Sequence, residues 1–272
     1  MNILVIGKGK TGTTIISKSI QLSMPDSLYY LEPKKIGFFL NSGPPDGACV
    51  VKIIYEHWDS TPNLREAILH NELALKFKRI VAIVRDLRDE AISRLFYIAL
   101  PLAQRGVETQ RMDAWLDVLI KKERDPQSIS FLSMIEQLND IFGTKVAPRP
   151  PVDLRYLRFL DKHAPRLHVI KYEDFIEDRL DELEAYLGFE VSDNRHVGEY
   201  HWTRRSAAYN NWKRFFTRGD VEQLRDLYDP LLSRHGYTDW ALDPDPVLKP
   251  DECSGYVRRI VAGVQAAAAA PG

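Results

Sequence analysis

Cysteine is scarce: Cys49 and Cys253 are the only two in 272 residues. Two thiols make neither a disulfide framework nor a zinc site, which points to a reducing compartment. No apolar run approaches the length that a membrane span needs. The amino terminus enters an apolar strand directly, without the basic start and apolar h-region of a secretory leader. A cytoplasmic protein is therefore expected. Charge of one sign is missing too. With 37 Lys and Arg against 38 Asp and Glu the net charge is −1, which argues against a general nucleic-acid binder. No internal repeat or linker breaks the chain, so a single domain over 1–272 is expected, with 262–272 as a frayed alanine-rich tail. The 44% of hydrophobic residues suffices for a sizeable core.

What is present is concentrated at the start. Ile3-Leu4-Val5-Ile6 is a short apolar run stopped by Gly7 and Gly9, so it reads as a buried strand. Gly7-Lys8-Gly9-Lys10-Thr11-Gly12-Thr13-Thr14 follows, and Ile15, Ile16, Ile20 and Leu22 then suit a helix. Strand, glycine-rich turn and helix start present backbone N–H groups and the positive end of a helix dipole to an anion. Lys10 adds a mobile charge, and Thr13 and Thr14 add hydroxyl donors. The spacing of Gly7 and Gly12 matches the nucleotide-triphosphate loop, but Thr13 stands where that loop has its lysine. The lysine lies two positions before the second glycine. A tight turn with no ligand is the plain alternative.

Further short strands are expected at Leu28–Leu31, Ala48–Tyr55, Arg79–Val84 and Arg166–Tyr172, with a helix over Leu64–Lys76 between them. Strands alternating with helices predict an α/β fold, a central parallel sheet flanked by helices. Ligands of such sheets sit outside the carboxyl ends of the strands. The Gly7 loop, Glu32, Tyr55–His57 and Arg85 all follow strand ends. From about 91 to 163 the pattern is helical, and Val221–Arg234 predicts a last amphipathic helix.

Lys10-Thr11-Gly12-Thr13-Thr14 resembles the K-S-G-T-T loop of the PAPS-dependent sulfotransferases, the P-loop-like family, and the chain looks like its bacterial type. Arg85-Asp86-Leu87-Arg88-Asp89-Glu90-Ala91-Ile92-Ser93 is similar to that family's R-D-P-R-D-x-x-x-S segment, with Leu87 in place of proline. Arg205 to Thr217, with Trp212-Lys213 and Phe216-Thr217 in register, resembles its R-K-G-x-x-G-D-W-K-x-x-F-T loop; Ser206 and Ala207 replace the usual lysine and glycine. Val169-Ile170-Lys171-Tyr172-Glu173-Asp174-Phe175 is similar to its R-Y-E-D-L strand end, where Glu173 and Asp174 would cap a helix. The four segments span positions 3–217 in the family's order.

The resemblance implies a P-loop-NTPase-like sulfotransferase fold with a helical acceptor-side insertion at 91–163. It implies transfer of a sulfuryl group from PAPS to a hydroxyl or amine, leaving adenosine 3′,5′-bisphosphate and requiring no metal. Lys8, Gly9, Lys10, Thr11, Gly12, Thr13 and Thr14 would hold the 5′-phosphosulfate; Arg85, Ser93, Arg204, Arg205 and Ser206 would hold the 3′-phosphate. Lys10 would offset charge on the leaving oxygen. For the base, Glu32 ranks first, His57 second and Glu56 third, because the family uses either a glutamate after its second strand or a histidine after its third. Beside Pro33, Glu32 also reads as a helix-entry carboxylate. Phe96, Tyr97, Trp115, Phe131, Met134, Phe142 and Phe159 either line an acceptor pocket or pack helices together. The acceptor class expected is a small molecule, lipid or carbohydrate, with no nucleic acid and no membrane span. A nucleotide-dependent kinase is the alternative, disfavoured by the missing lysine, and a non-catalytic nucleotide-binding protein is the third reading.

Overall fold

A computed structural model describes residues 1–40, 47–194, 205 and 208–269. In chain order its elements are β1 (Asn2–Gly7), α1 (Thr13–Leu22), β2 (Leu28–Leu31), α2 (Ile36–Leu40), β3 (Cys49–Ile54), α3 (Pro62–Leu69), β4 (Arg79–Val84), α4 (Leu87–Tyr97), α5 (Ala99–Gln104), α6 (Thr109–Arg124), α7 (Phe131–Phe142), α8 (Pro150–His163), β5 (His168–Lys171), α9 (Tyr172–Ile176), α10 (Asp181–Leu187), α11 (Trp212–Phe215), α12 (Arg218–Leu232) and α13 (Ser254–Ala269). The fold is α/β, with a five-stranded parallel sheet and flanking helices. The chain separates into two compact units, Met1–Arg85 with Pro151–Gly198, and Asp86–Pro150 with Glu199–Gly272. The helical stretch expected at 91–163 is thus divided, since nearly all of α8 belongs to the sheet-bearing unit. No helix among the described residues is long and apolar enough to cross a membrane.

The first unit holds the sheet, in the order β2-β3-β1-β4-β5. Residues 3–7 of β1 and all of β3 are buried, as strands covered on both faces must be. Ile15, Ile16 and Ile20 of α1 pack in one cluster with Val5, Val50, Val81, Ile83, Ile170 and Phe175. Helical spacing turns those isoleucines to one face, and parallel register supplies the valines opposite. Because every strand runs the same way, Gly7, Leu31, Ile54, Val84 and Lys171 all end at one sheet edge. β1 is central, with the chain running outward on both sides, so the end of β1 is the topological switch point.

Some boundaries differ from those expected. α3 starts at Pro62 and stops at Leu69, short of Lys76. Proline suits the first helical position. At the other end Asn71 turns left-handed (φ 57°) and its Oδ1 accepts from Phe77 N–H at 2.7 Å. β5 is shorter than Arg166–Tyr172 because Ala164–Arg166 closes a 3₁₀ turn before it. α12 begins at Arg218 rather than Val221, since Thr217 and Asp220 form a reciprocal capping box. α13 runs on through 262–269, where a tail was expected; alanine is the strongest helix former.

The second unit is helical. α13 packs on α5 and α6, and α6 on α7. Asp220 accepts from the backbone N–H groups of Phe131 (2.8 Å) and Leu132 (3.0 Å) while capping its own helix, so one buried carboxylate serves two helix starts. Lys122 is fully buried, donates to the carbonyls of Pro126 and Ile129, and burial pulls its pKa down to about 8. Phe96, Trp115, Phe131, Met134 and Phe142 lie in this interior and Phe159 in that of the first unit, whereas Tyr97 is half-buried.

Acid should weaken the first unit through His168, which stacks on Tyr186 at 5.2 Å in β5. Burial lowers its pKa, opposed by Glu182. A folded value below the unfolded one means that the unfolded chain binds more protons between the two values. Stability is then full above about 6.5 and declines as pH falls towards the folded value. Urea unfolding at neutral pH and about one unit below the ordinary imidazole value should show the loss, and His168→Phe should reduce it. An unchanged difference in the variant would clear His168 of the effect.

Candidate active site

The loop at the end of β1 is built from backbone conformations that the sequence permits. Gly12 caps α1 in the left-handed region (φ 87°), and a Cβ there would meet the Tyr172 ring at 2.3 Å. A side chain at Gly7 would strike Thr13 at 2.6 Å and Thr11 at 2.8 Å. Thr11 is buried and its hydroxyl donates to the Lys8 carbonyl at 2.8 Å, closing the turn. Lys10 itself is left-handed at φ 73°, an uncommon conformation for a residue with a Cβ that costs of the order of 1 kcal/mol. α1 then starts with no side-chain cap and no acidic residue in its first turn. A helix start with those features leaves its first N–H groups to water or to a ligand, and its dipole favours an anionic one.

Three partners fix this loop. Lys8 is buried and ion-paired with Asp153 of α8, also buried. Arg85 Nη1 donates to the Lys10 carbonyl at 3.0 Å, and its guanidinium lies 4.3 Å from the Tyr172 ring centre. Glu56, in the 3₁₀ turn after β3, accepts from Gly9 N–H through both carboxylate oxygens at 3.1 and 3.3 Å. One donor of the loop therefore already engages a carboxylate. Asp153 lies 145 residues from Lys8 and carries no local signal in the sequence.

A second group gathers beyond β2 and β3. In the sheet register Leu31 pairs with Lys52, which sets Glu32 beside it. Glu32 is left-handed (φ 51°), its N–H donates to the Lys52 carbonyl at 2.8 Å, and its carboxylate accepts from the Lys52 ammonium. Lys52 is 2% exposed. Burial lowers its pKa, with Glu32 working against that shift. His57 Nδ1 lies 3.8 Å from Glu32 Oε2, and burial also lowers the imidazole pKa, Glu32 again opposing. Glu32 and His57, two of the three candidate bases, are therefore neighbours around a buried lysine, while Glu56 faces the loop. Lys52 is the member that sequence reading missed, although a lysine inside an otherwise apolar strand marks it.

The remaining predicted ligands belong to the second unit. Ser93 is buried in α4. Arg205 donates to the Glu252 carbonyl at 3.4 Å and lies 5.7 Å from the Phe96 ring and 5.6 Å from that of Phe215. Arg204 and Ser206 lie outside the described residues. Inside the Arg85–Ser93 motif, Arg88 pairs with Asp86 at 2.7 Å and sits over Trp212 (3.7 Å) and Trp240 (4.5 Å). Asp89 accepts from Trp212 N–H at 3.0 Å. Those residues tie the start of α4 to the Trp212 loop. Glu173 and Asp174 occupy the first turn of α9.

No family model matches the sequence. No curated protein matches it either. Among solved structures the chain is similar to a mouse sulfotransferase complexed with PAP, at a TM-score of 0.46 and 16% identity, covering 85% of this chain and 83% of that one. It is also similar to retinol dehydratase in complex with androsterone and inactive cofactor PAP, at a TM-score of 0.47 and 14% identity, over 91% of this chain and 82% of that one.

Proposed function

We propose that the chain is a PAPS-dependent sulfotransferase acting on a hydroxyl or amine of a small-molecule, lipid or carbohydrate acceptor. The observation that carries this reading is the loop after β1. It ends in an uncapped helix start, it holds Lys10 in a left-handed turn anchored by Arg85, and it has threonine where a nucleotide-triphosphate loop needs lysine. The donor set suits a phosphosulfate: backbone N–H groups, two threonine hydroxyls and an ammonium, with no carboxylate in the first turn. When bound, PAPS supplies a sulfuryl group carried on a phosphate. In this reading the Gly9–Thr14 backbone would orient the 5′ end, Lys10 would offset the charge that grows on the departing oxygen, and Arg85 would serve as a 3′-phosphate ligand, the role that the resemblance also gives Ser93, Arg204, Arg205 and Ser206. Glu32 takes the acceptor's proton, oriented by Lys52, and the neutral imidazole of His57 stands beside it. No residue of this scheme calls for a metal.

Calorimetric titration with adenosine 3′,5′-bisphosphate, set against ATP with magnesium, tests the reading. Tight bisphosphate binding and weak, metal-independent ATP binding are expected. Magnesium-dependent ATP binding with no response to the bisphosphate would replace the sulfotransferase with a kinase. Glu56→Ala should tighten the bisphosphate about tenfold, because it frees one loop donor and removes a negative charge that an incoming anion must displace. Unchanged or weaker binding in that variant would show that Glu56 does not compete for the loop.

A further inference from the structure

Among the described residues, one cluster outside the phosphate loop brings metal-ligating side chains together. Glu66 and His70 stand one helical turn apart at the end of α3, and His163 is the last residue of α8. Their ligand atoms all lie within 4.8 Å of one another. His163 Nε2 is 3.0 Å from Glu66 Oε1, and His70 Nε2 is 3.7 Å from Glu66 Oε2. The two imidazoles meet edge to face at 5.5 Å. His163 is buried, whereas Glu66 and His70 are half-exposed.

We propose that Glu66, His70 and His163 form a binding site for a divalent transition-metal ion of the zinc class, clamping α3 to α8. Two neutral imidazole nitrogens and one carboxylate are a donor set that zinc, cobalt and nickel accept, with water completing the tetrahedron. Tetrahedral zinc with bonds of about 2.0–2.1 Å sets its ligand atoms roughly 3.3–3.4 Å apart. His163 faces one Glu66 oxygen at 3.0 Å and His70 the other at 3.7 Å, so the carboxylate lies against both rings, and an ion held by one oxygen draws the ring beside the other oxygen inward. One cation now stands in its way: Lys162 Nζ donates to Glu66 Oε2 at 2.8 Å. The lysine side chain is 63% exposed and its flexible stem can turn to solvent. Arg166 also approaches, but it donates to the Leu69 carbonyl at 3.3 Å rather than to a ligand atom.

The site is separate from the chemistry proposed above. Asp153, which pairs with Lys8 of the loop, and His163 are ten residues apart on α8, about 15 Å along the helix axis. α8 leads through the Ala164–Arg166 turn into the start of β5, so its end lies towards the sheet edge opposite the loop. An ion there stabilises the unit rather than entering the transfer, because it binds only where both helices are in place.

Cobalt(II) titration of the full-length, tag-free protein after chelator treatment tests this directly. One equivalent should produce visible d–d bands that zinc abolishes, and zinc should raise the melting temperature. His70→Ala should fold normally, because that side chain is 35% exposed. It should lose the bands and weaken binding at least as much as the roughly 10- to 100-fold that loss of a supporting partner costs. Lys162→Met should tighten binding by removing the competing charge. Absence of visible bands at one equivalent, or equal affinity in His70→Ala, would overturn the proposal.

Discussion

Replacing Asp153 with alanine should destabilise the protein by about 3–5 kcal/mol, the effect of removing one member of a buried ion pair. Lys8 and Asp153 have side chains only 3% and 4% exposed. Without the carboxylate, the ammonium must draw in water, give up its proton or move, and each course disturbs the first turn of the loop. Urea unfolding followed by circular dichroism measures the loss. A double variant, Lys8→Met with Asp153→Leu, separates charge from packing. Two apolar side chains of similar volume remove the desolvation penalty together with the attraction, so the double variant should recover most of the stability. If Asp153→Ala costs less than about 1 kcal/mol, the pair is solvated in solution and the loop has another anchor.

Lys10→Met should lower turnover of PAPS by about 10²–10³-fold while leaving the affinity for adenosine 3′,5′-bisphosphate within about tenfold. The asymmetry follows from where the charge develops. In the proposed reading, backbone N–H groups and arginines would hold the bisphosphate whether or not the lysine is present. The ammonium is needed most when the bond to the bridging oxygen stretches. Methionine keeps the stem and faces the same left-handed backbone as Lys10 at φ 73°, so fold and loop geometry are preserved. Single-turnover rates with PAPS, paired with bisphosphate calorimetry, give the two numbers. Equal loss of binding and rate would make Lys10 an ordinary phosphate ligand. An unchanged rate would remove it from the chemistry.

The loop was legible in the sequence because its determinants are local. Four consecutive apolar residues make β1, and glycine is needed at position 12, where Tyr172 leaves no room for a side chain. The helix start follows within a few residues. Arg85 was legible for the same reason, as the residue after an apolar strand. Helix ends were less so. Leu64–Lys76 has helical spacing, yet α3 ends at Leu69 because the Asn71 side chain and its left-handed backbone stop it. Alanines 266–269 continue α13 where the sequence suggested a tail, because their propensity favours the helix.

By itself the sequence determined most element types and the glycine-rich loop after β1, because side-chain periodicity, glycine freedom and helix polarity act within a few residues. The tertiary structure alone decided the strand order β2-β3-β1-β4-β5 and the pairings that depend on it. It set Glu32 against Lys52, Asp153 against Lys8, Asp220 at the start of α7, and Glu66 against His163. These partners lie 20 to 145 residues apart. No local pattern encodes such pairs, since they form only when parallel register and helix packing carry distant charges to one place and remove the water between them.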